Sequence, residues 1–164
     1  IVTEASTINF EVIQYGQPFS GAFKTFTGQI NFDPANLENS RAGIIIDIAS
    51  IDTGSDDRDG QARSDEWFDI VQFPQAHFVT TSFTALEDAN RYEATAELTI
   101  RDVKIPVTLP FALEFTDDDR RAKMTAILTL KRLDFGVGQG QWQATDAIAD
   151  EIKVEIAVEA ERAQ

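Results

Sequence analysis

Two arginines, Arg58 and Arg63, are the side chains of this sequence best suited to bind a polar ligand group. They lie five residues apart in a charged segment, residues 55–69. A guanidinium presents several N–H donors in a fixed fork that suits oxygen acceptors. One interpretation is that both arginines only order the segment by pairing with its carboxylates, Asp56, Asp57, Asp59 and Asp65. The other is that one of them faces the mouth of a cavity and contacts the head of a ligand.

The same segment partly matches the pattern of a calcium-binding loop. Ser55, Asp57, Asp59, Gly60 and Glu66 fall at positions 1, 3, 5, 6 and 12 of that pattern. Position 1 is serine where the pattern demands aspartate, position 8 is a small alanine, and the flanking helix signals are missing. We therefore predict no metal site in this segment.

Few residues of the sequence are suited to catalysis. It has no cysteine and one histidine, His77, so thiolate catalysis and cysteine-ligated metals are excluded. No serine lies in the G-x-S-x-G setting of a hydrolase nucleophile. Carboxylates are abundant, so a glycan-active hydrolase with two facing carboxylates stays open as an alternative, although Glu93 and Glu97 fall on the outward face of their predicted strand. We predict a protein that is not an enzyme, with no catalytic residues and no cofactor.

The candidate arginines and carboxylates must be positioned by β-strands, because most of the sequence alternates apolar and polar residues with period two. Eight such runs are predicted, at residues 8–12, 22–32, 42–51, 76–86, 92–100, 105–115, 122–130 and 152–158. A short helical insert separates the third run from the fourth, with Ser55 as its N-cap and aspartates in its first turn. The pattern predicts an all-β fold, either an antiparallel barrel of about eight strands or a sandwich.

Irregularities in two of the runs predict local features of the sheet. Phe78 and Phe83 fall on opposite faces of one run, which indicates a bulge or a change of partner strand. Pro106 and Pro110 cannot donate to a ladder, so their run is predicted to be an edge, a bulged strand or a seam.

Small residues recur on one predicted face, interleaved with Phe, Ile and Leu. They are Ala22, Gly28, Ala42, Ala76, Ala94, Ala96, Ala122 and Ala126. A barrel of about eight strands has room inside for side chains or for one small ligand. The small residues fit an elongated cavity and also a tapering solid core, so the pattern alone leaves both open.

Charge and length exclude several classes of function. The net charge of -14 repels phosphate backbones and anionic headgroups, so we expect neither nucleic-acid binding nor direct membrane insertion. The 164 residues predict one domain, residues 1–164. The sequence begins Ile1-Val2 without Met, which indicates a mature form or a module excised from a larger protein.

Six motifs together resemble the YceI-like family, lipocalin-like proteins that bind polyisoprenoid lipids. The motifs are FTGQINFDP, SIDTG, RDGQARSDEWFD, FPQAHF, LTIRDVKIPVTLPF and LDFGVGQG, and the likeness runs from about Phe10 to Val158. The resemblance implies a lipocalin-like β-barrel that holds a polyisoprenoid, such as an isoprenoid quinone or a prenyl phosphate, in an apolar cavity. We expect a periplasmic or secreted protein, and a homodimer is compatible with the sequence.

The resemblance and the strand pattern together predict a set of ligand-binding residues. The predicted cavity wall consists of Phe10, Phe26, Ile30, Phe32, Ile46, Ile48, Phe78, Leu98, Ile100, Phe111, Leu113, Met124, Leu128 and Trp142. Arg58 and Arg63 are the predicted headgroup contacts, and the surrounding negative charge makes a neutral quinone easier to accept than a diphosphate. A carbohydrate-binding β-sandwich is the alternative, with Trp67, Trp142 and Tyr92 as exposed stacking platforms.

Overall fold

The computed structural model describes residue 2, residues 5–116, residue 118 and residues 120–161. These residues form ten β-strands and one short α-helix, with a few single 3₁₀ turns between them. The strands are β1 Thr7–Gln14, β2 Gln17–Phe23, β3 Phe26–Asn31, β4 Arg41–Asp47, β5 Ile51–Asp52, β6 Gln75–Ala85, β7 Arg91–Ile100, β8 Val103–Thr116, β9 Arg121–Lys131 and β10 Ile148–Glu161. The helix α1, Asp56–Arg63, lies between β5 and β6.

All ten strands belong to one antiparallel sheet. Its order is β3-β4-β6-β7-β8-β9-β10-β1-β2-β5, so the all-β antiparallel prediction is confirmed. The predicted number of about eight strands is wrong. Two predicted runs are each split in the structure, one into β2 and β3 and the other into β4 and β5.

Both splits occur at one corner of the sheet. The chain bends at Lys24 and Thr25 between β2 and β3, and a 3₁₀ turn at Ile48–Ser50 separates β4 from β5. Hydrogen bonds join the two bends, from the Thr25 N–H to the Ser50 hydroxyl at 3.0 Å and from the Asp47 N–H to the Thr25 carbonyl at 3.0 Å. The two edge strands, β3 and β5, therefore meet at this corner, and the sheet curls back on itself around an interior.

The bend also changes which residues face inward. Phe19 and Phe23 of β2 line the interior, whereas Phe26 shares the face of its ladder partner Ile46. The inward positions thus pass from odd to even residue numbers across the bend. Ala22 consequently points outward, against the prediction that placed it with the inward small residues, and it lines a small outer groove instead.

The two predicted irregularities are confirmed. The β6–β7 register shifts between Thr80 and Ser82, and this bulge brings Phe83 to the inner face that Phe78 already occupies. Strand β8 pairs with β9 only from Phe111 to Thr116. Pro106 and Pro110 lie in the other half of β8, where no β9 ladder needs their missing N–H groups.

The helix covers one end of the curled sheet, and this end is named the insert end. Ser55 is its N-cap and accepts a hydrogen bond from the Arg58 N–H at 3.3 Å. The buried Asp59 carboxylate accepts hydrogen bonds from the Thr53 N–H at 2.9 Å and hydroxyl at 2.7 Å, which fix the helix to the strand before it. The β9–β10 loop, residues 132–147, lies at the same end, and the β3–β4 and β6–β7 turns lie at the opposite end. No helix in the described ranges has the length and apolar character needed to cross a bilayer.

Candidate ligand-binding cavity

One large cavity occupies the interior of the curled sheet. Its volume is about 2280 Å³, more than twice the ~300–1,000 Å³ of ordinary small-molecule pockets. Its lining reaches from Phe135 and Trp142 at the insert end to Phe115 at the opposite end. The interior is therefore a continuous space and not a set of separate voids.

The inward side chains do not close on one another. Ile44, Ile46, Phe78, Met124 and Leu128 all point inward and are only half-buried. Among the described residues, no large side chain is less than 2% exposed. A filled protein core packs as densely as an organic crystal and buries such side chains completely, so the solid-core interpretation of the small inward residues is wrong.

Every predicted wall residue except Phe26 lines the cavity. Phe26 is only 3% exposed and packs within the wall at the corner, so it does not contribute to the cavity surface. The residues that do are Phe10, Ile30, Phe32, Ile46, Ile48, Phe78, Leu98, Ile100, Phe111, Leu113, Met124, Leu128 and Trp142. Their contact with a ligand stays a prediction.

The opposite end of the cavity has an aromatic wall. Phe32 meets Phe83, Tyr92 and Phe111 with ring centroids 5.1, 5.2 and 5.9 Å apart, all edge to face. Such edge-to-face packing adds to the stabilisation that burial of the rings provides. Arg121 and Glu161 line the cavity, and Arg121 forms ion pairs with Glu159 and Glu161.

Arg58 stands at a polar mouth on the insert end. Its guanidinium carbon lies 4.5 Å from the centre of the Phe19 ring, and its Nε donates to Gln14 Oε1 at 3.3 Å. Other polar residues that line the cavity here are Thr53, Asp57 and Gln61. The mouth thus lies between helix α1 and the β1–β2 hairpin, and Arg58 is held over it by an aromatic ring.

Arg63 points away from the cavity. Its Nε and Nη2 donate to the Ala49 carbonyl at 3.2 and 3.0 Å, and Nη2 also reaches the Ile51 carbonyl at 3.3 Å. It therefore fixes the helix to the strand corner and does not line the cavity, unlike Arg58. No ion pair in the described part of the chain joins either arginine to the carboxylates of the insert, so the interpretation that the arginines pair with those carboxylates is wrong.

A third arginine, Arg132, was not predicted and lies in the wall of the cavity. It is 4% exposed and donates to three backbone carbonyls, from Nε to Ala149 at 3.0 Å, from Nη1 to Val137 at 3.0 Å and from Nη2 to Ile148 at 2.8 Å. Burial lowers the pKa of Arg132, and the carboxylate of Asp150 opposes this shift. A signal was present in the sequence, because the inward alternation of Leu128 and Leu130 in β9 continues to position 132.

The two tryptophans pack against each other beside this arginine. The rings of Trp67 and Trp142 are 5.5 Å apart, and the Arg132 guanidinium lies 5.1 Å from the Trp67 ring centre. The Trp142 Nε1 donates to Glu66 Oε2 at 3.0 Å. Glu66 thus joins the insert to the β9–β10 loop at the insert end.

The carbohydrate-binding alternative does not fit this arrangement. It requires exposed aromatic platforms on a filled sandwich, but Trp67 and Tyr92 are buried at 8% and 9% exposure and the interior is open. Sequence reasoning could not detect this, because the burial of Trp67 depends on Trp142, which is distant in the sequence.

The calcium-loop pattern is not formed in the structure. Its residues lie largely on helix α1, and the Asp59 and Glu66 carboxylates are engaged by Thr53 and Trp142. Within the described ranges, no three His, Cys, Asp or Glu side chains are grouped as a metal site requires.

Comparison with known proteins gives consistent matches over nearly the whole chain. The YceI-like domain family model matches residues 1–160. The protein YceI of Salmonella arizonae is 31% identical over 153 residues, which cover 90% of this chain and 79% of that protein.

Solved structures of known proteins share the fold of this chain. The crystal structure of Burkholderia cenocepacia BcnA has a TM-score of 0.92 and 32% identity, and the match covers 98% of this chain and 99% of BcnA. A polyisoprenoid-binding domain from Saccharophagus degradans, implicated in plant cell wall breakdown, has a TM-score of 0.78 at 18% identity and covers 97% of this chain and 95% of its own. The lipocalin-like architecture predicted from the sequence is thereby confirmed.

Proposed function

This chain belongs to the YceI-like family, and from that membership we propose that it binds and carries a polyisoprenoid lipid inside its curled sheet. The lipid is an isoprenoid quinone or a prenyl phosphate; its tail lies in the apolar cavity, and its head is the quinone ring or the phosphate. The protein performs no chemical step on the lipid. It shields the lipid from water in an aqueous compartment, the periplasm or the medium outside the cell.

The open interior is the single observation that carries this proposal. Burial of a CH₂-like group is worth ~0.8 kcal/mol, so each five-carbon unit of a prenyl tail contributes roughly 3 to 4 kcal/mol before ordering costs. A cavity of about 2280 Å³ accepts many such units. Affinity therefore comes from the tail, and a few polar residues select the head.

Arg58 supports a head placed at the insert end. The guanidinium is held by Phe19 and Gln14 at a mouth of the cavity, where its remaining N–H groups can meet an oxygen of the ligand. Asp57 lines the same mouth, which favours a neutral quinone over a phosphate. Arg63 acts here only by fixing helix α1.

Mass spectrometry of an organic-solvent extract of the purified protein tests this function. We expect a prenyl lipid in stoichiometric amount, absent from the extract of an unrelated acidic protein purified in parallel from the same cells. An extract without a prenyl lipid, together with failure of the empty protein to bind added isoprenoid quinone or prenyl phosphate, would count against the proposal.

A further inference from the structure

The cavity wall contains a gap between strands β8 and β9. The two strands pair only over residues 111–116 of β8 and 121–126 of β9. The gap, named the seam, separates residues 103–110 of β8 from residues 127–131 of β9. Each side of the seam is held only by its other neighbour, β7 for β8 and β10 for β9. No ladder of backbone hydrogen bonds therefore joins the wall across the seam.

Prolines in β8 explain why the ladder ends where it does. The Leu113 N–H donates to the Asn90 carbonyl at 2.9 Å, so odd-numbered residues of β8 turn their N–H groups toward β7. Even-numbered residues turn theirs toward β9, and the first even position beyond the ladder would oppose Pro110 to Ile127. Proline has no N–H to donate there, and Pro106 repeats this defect further along the seam. The sequence of β8 therefore prevents the seam from closing as a ladder.

The β9–β10 loop closes the seam from inside the cavity by apolar contact. Phe135 and Val137 of this loop are 3% and 5% exposed, and both also line the cavity. They belong to the apolar cluster against which three residues of this half of β8 pack, namely Val103, Ile105 and Val107. The closure therefore depends on side-chain packing between the loop and β8.

Hydrogen bonds fasten this loop to β10 and to the insert, but not to β8. The Leu133 N–H donates to the Asp150 carboxylate at 3.0 Å, and the Gly138 and Gln139 N–H groups donate to the Glu66 carbonyl at 2.9 and 2.7 Å. In the described part of the chain, no hydrogen bond joins residues 132–147 to β8. The loop and β8 can therefore part along the seam without breaking a hydrogen bond between them.

The outer rim of the seam carries no charge over most of its length. Its exposed uncharged side chains are Pro106, Thr108 and Pro110 on β8 and Ile127 and Thr129 on β9. Ile127 is 57% exposed, although the chain has a net charge of -14. The mouth at the insert end differs, because a hydrocarbon that crosses it must pass Arg58 and Asp57. At the seam a hydrocarbon meets only apolar and hydroxyl side chains over this stretch.

We propose that the seam is a side gate of the cavity, through which the hydrocarbon tail of the ligand enters and leaves sideways. This inference rests on the proposed function. Residues 132–143 form the movable leaf of the gate, and the hydrogen bonds to Glu66 hold the leaf closed when no lipid passes. A sideways path spares a long tail from being threaded lengthwise past the charged mouth, where contact of hydrocarbon with charged groups is unfavourable.

The absence of cysteine from the sequence allows the gate to be locked by one designed disulfide. Pro110→Cys with Ile127→Cys joins the two strands next to their last ladder pair, on the outer face of the wall. The control is Thr95→Cys with Thr108→Cys, which joins β8 to β7 within a complete ladder, also on the outer face. Each variant is loaded with geranylgeraniol that carries an anthraniloyl fluorophore, and release of this probe to lipid vesicles is followed in oxidised and in reduced protein.

We expect oxidation of the seam pair to slow release of the probe about tenfold or more and to leave its equilibrium affinity unchanged. Oxidation of the control pair changes neither quantity. A second lock needs no disulfide, because Pro106→Thr with Pro110→Thr restores two N–H donors along the seam. Release from this variant should slow about 10- to 100-fold, the worth of two hydrogen bonds.

An unchanged release rate in the oxidised seam pair or in the threonine variant overturns the gate while leaving lipid binding intact. Equal slowing in the oxidised control pair also overturns it, because the effect is then not specific to the seam. If the parent protein does not bind the probe at all, the proposed function itself fails.

Discussion

Replacement of Gly138 by alanine tests whether the Arg132 guanidinium holds the cavity wall at the insert end. Gly138 is buried with a φ of +92°, and a Cβ at this position would lie 2.2 Å from Arg132 Nη1 and 3.4 Å from the Trp142 Cβ. Real Cβ atoms essentially never approach another heavy atom to less than 3.0 Å. The Arg132 guanidinium must therefore move, and its Nη1 is the atom that bonds the Val137 carbonyl.

The expected loss of stability is the sum of two effects. A left-handed backbone costs an alanine about 1–2 kcal/mol. Loss of one or two hydrogen bonds from the charged guanidinium adds about 1.5–3 kcal/mol for each bond. The smaller unfolded-state entropy of alanine offsets up to about 1 kcal/mol. We therefore expect Gly138→Ala to lower the free energy of unfolding by about 1.5–8 kcal/mol, a large part of the ~5–15 kcal/mol of a typical domain.

Gly16→Ala is the matched control. Gly16 also has a positive φ, +76°, but a Cβ there meets nothing within 4 Å, so only the backbone effect of about 1–2 kcal/mol remains, reduced by the same unfolded-state entropy offset. The measurement is equilibrium unfolding in urea followed by circular dichroism. If the two variants differ by less than about 1 kcal/mol, Arg132 does not hold the wall as described.

Three further predictions concern the cavity, the arginines and the bulge. Leu128→Trp narrows the cavity and should weaken prenyl-lipid binding at least tenfold, whereas Ile127→Trp, on the outward face of the same strand, should bind as the parent protein does in the same titration. Arg58→Gln should weaken binding of a quinone and leave the urea midpoint nearly unchanged, because the side chain is exposed; equal binding would remove Arg58 from the headgroup site. Arg63→Gln should instead keep binding and lower the free energy of unfolding by about 1–3 kcal/mol through lost carbonyl hydrogen bonds. Deletion of Thr81 removes the unpaired residue of the bulge and leaves Phe78 and Phe83 four positions apart, so a regular strand keeps both on the inner face; we expect a melting temperature close to that of the parent protein, and a large fall would show that the bulge itself is needed.

Local sequence signals predicted much of the fold. Period-two alternation located the strands, and the phase conflict between Phe78 and Phe83 predicted the bulge before Phe83. The prolines of β8 predicted the seam for a physical reason, since they remove donors that a ladder would need. These features depend only on neighbours within one strand.

Features that depend on contacts between distant residues were missed. The bend at Thr25 is held by Ser50, which no local pattern indicates, so the strand count and the outward position of Ala22 were not predicted. The burial of Trp67 likewise depends on the β9–β10 loop. Arg132 is different. The inward alternation of Leu128 and Leu130 in β9, extended by two residues, predicts that the side chain at position 132 faces inward.

From the large interior space we expect an unusual response to hydrostatic pressure. Unfolding under pressure is driven by the elimination of internal voids, and here the void runs through the length of the molecule. The empty protein should therefore unfold at lower pressure than the lipid-loaded protein, even where heating separates the two forms only slightly.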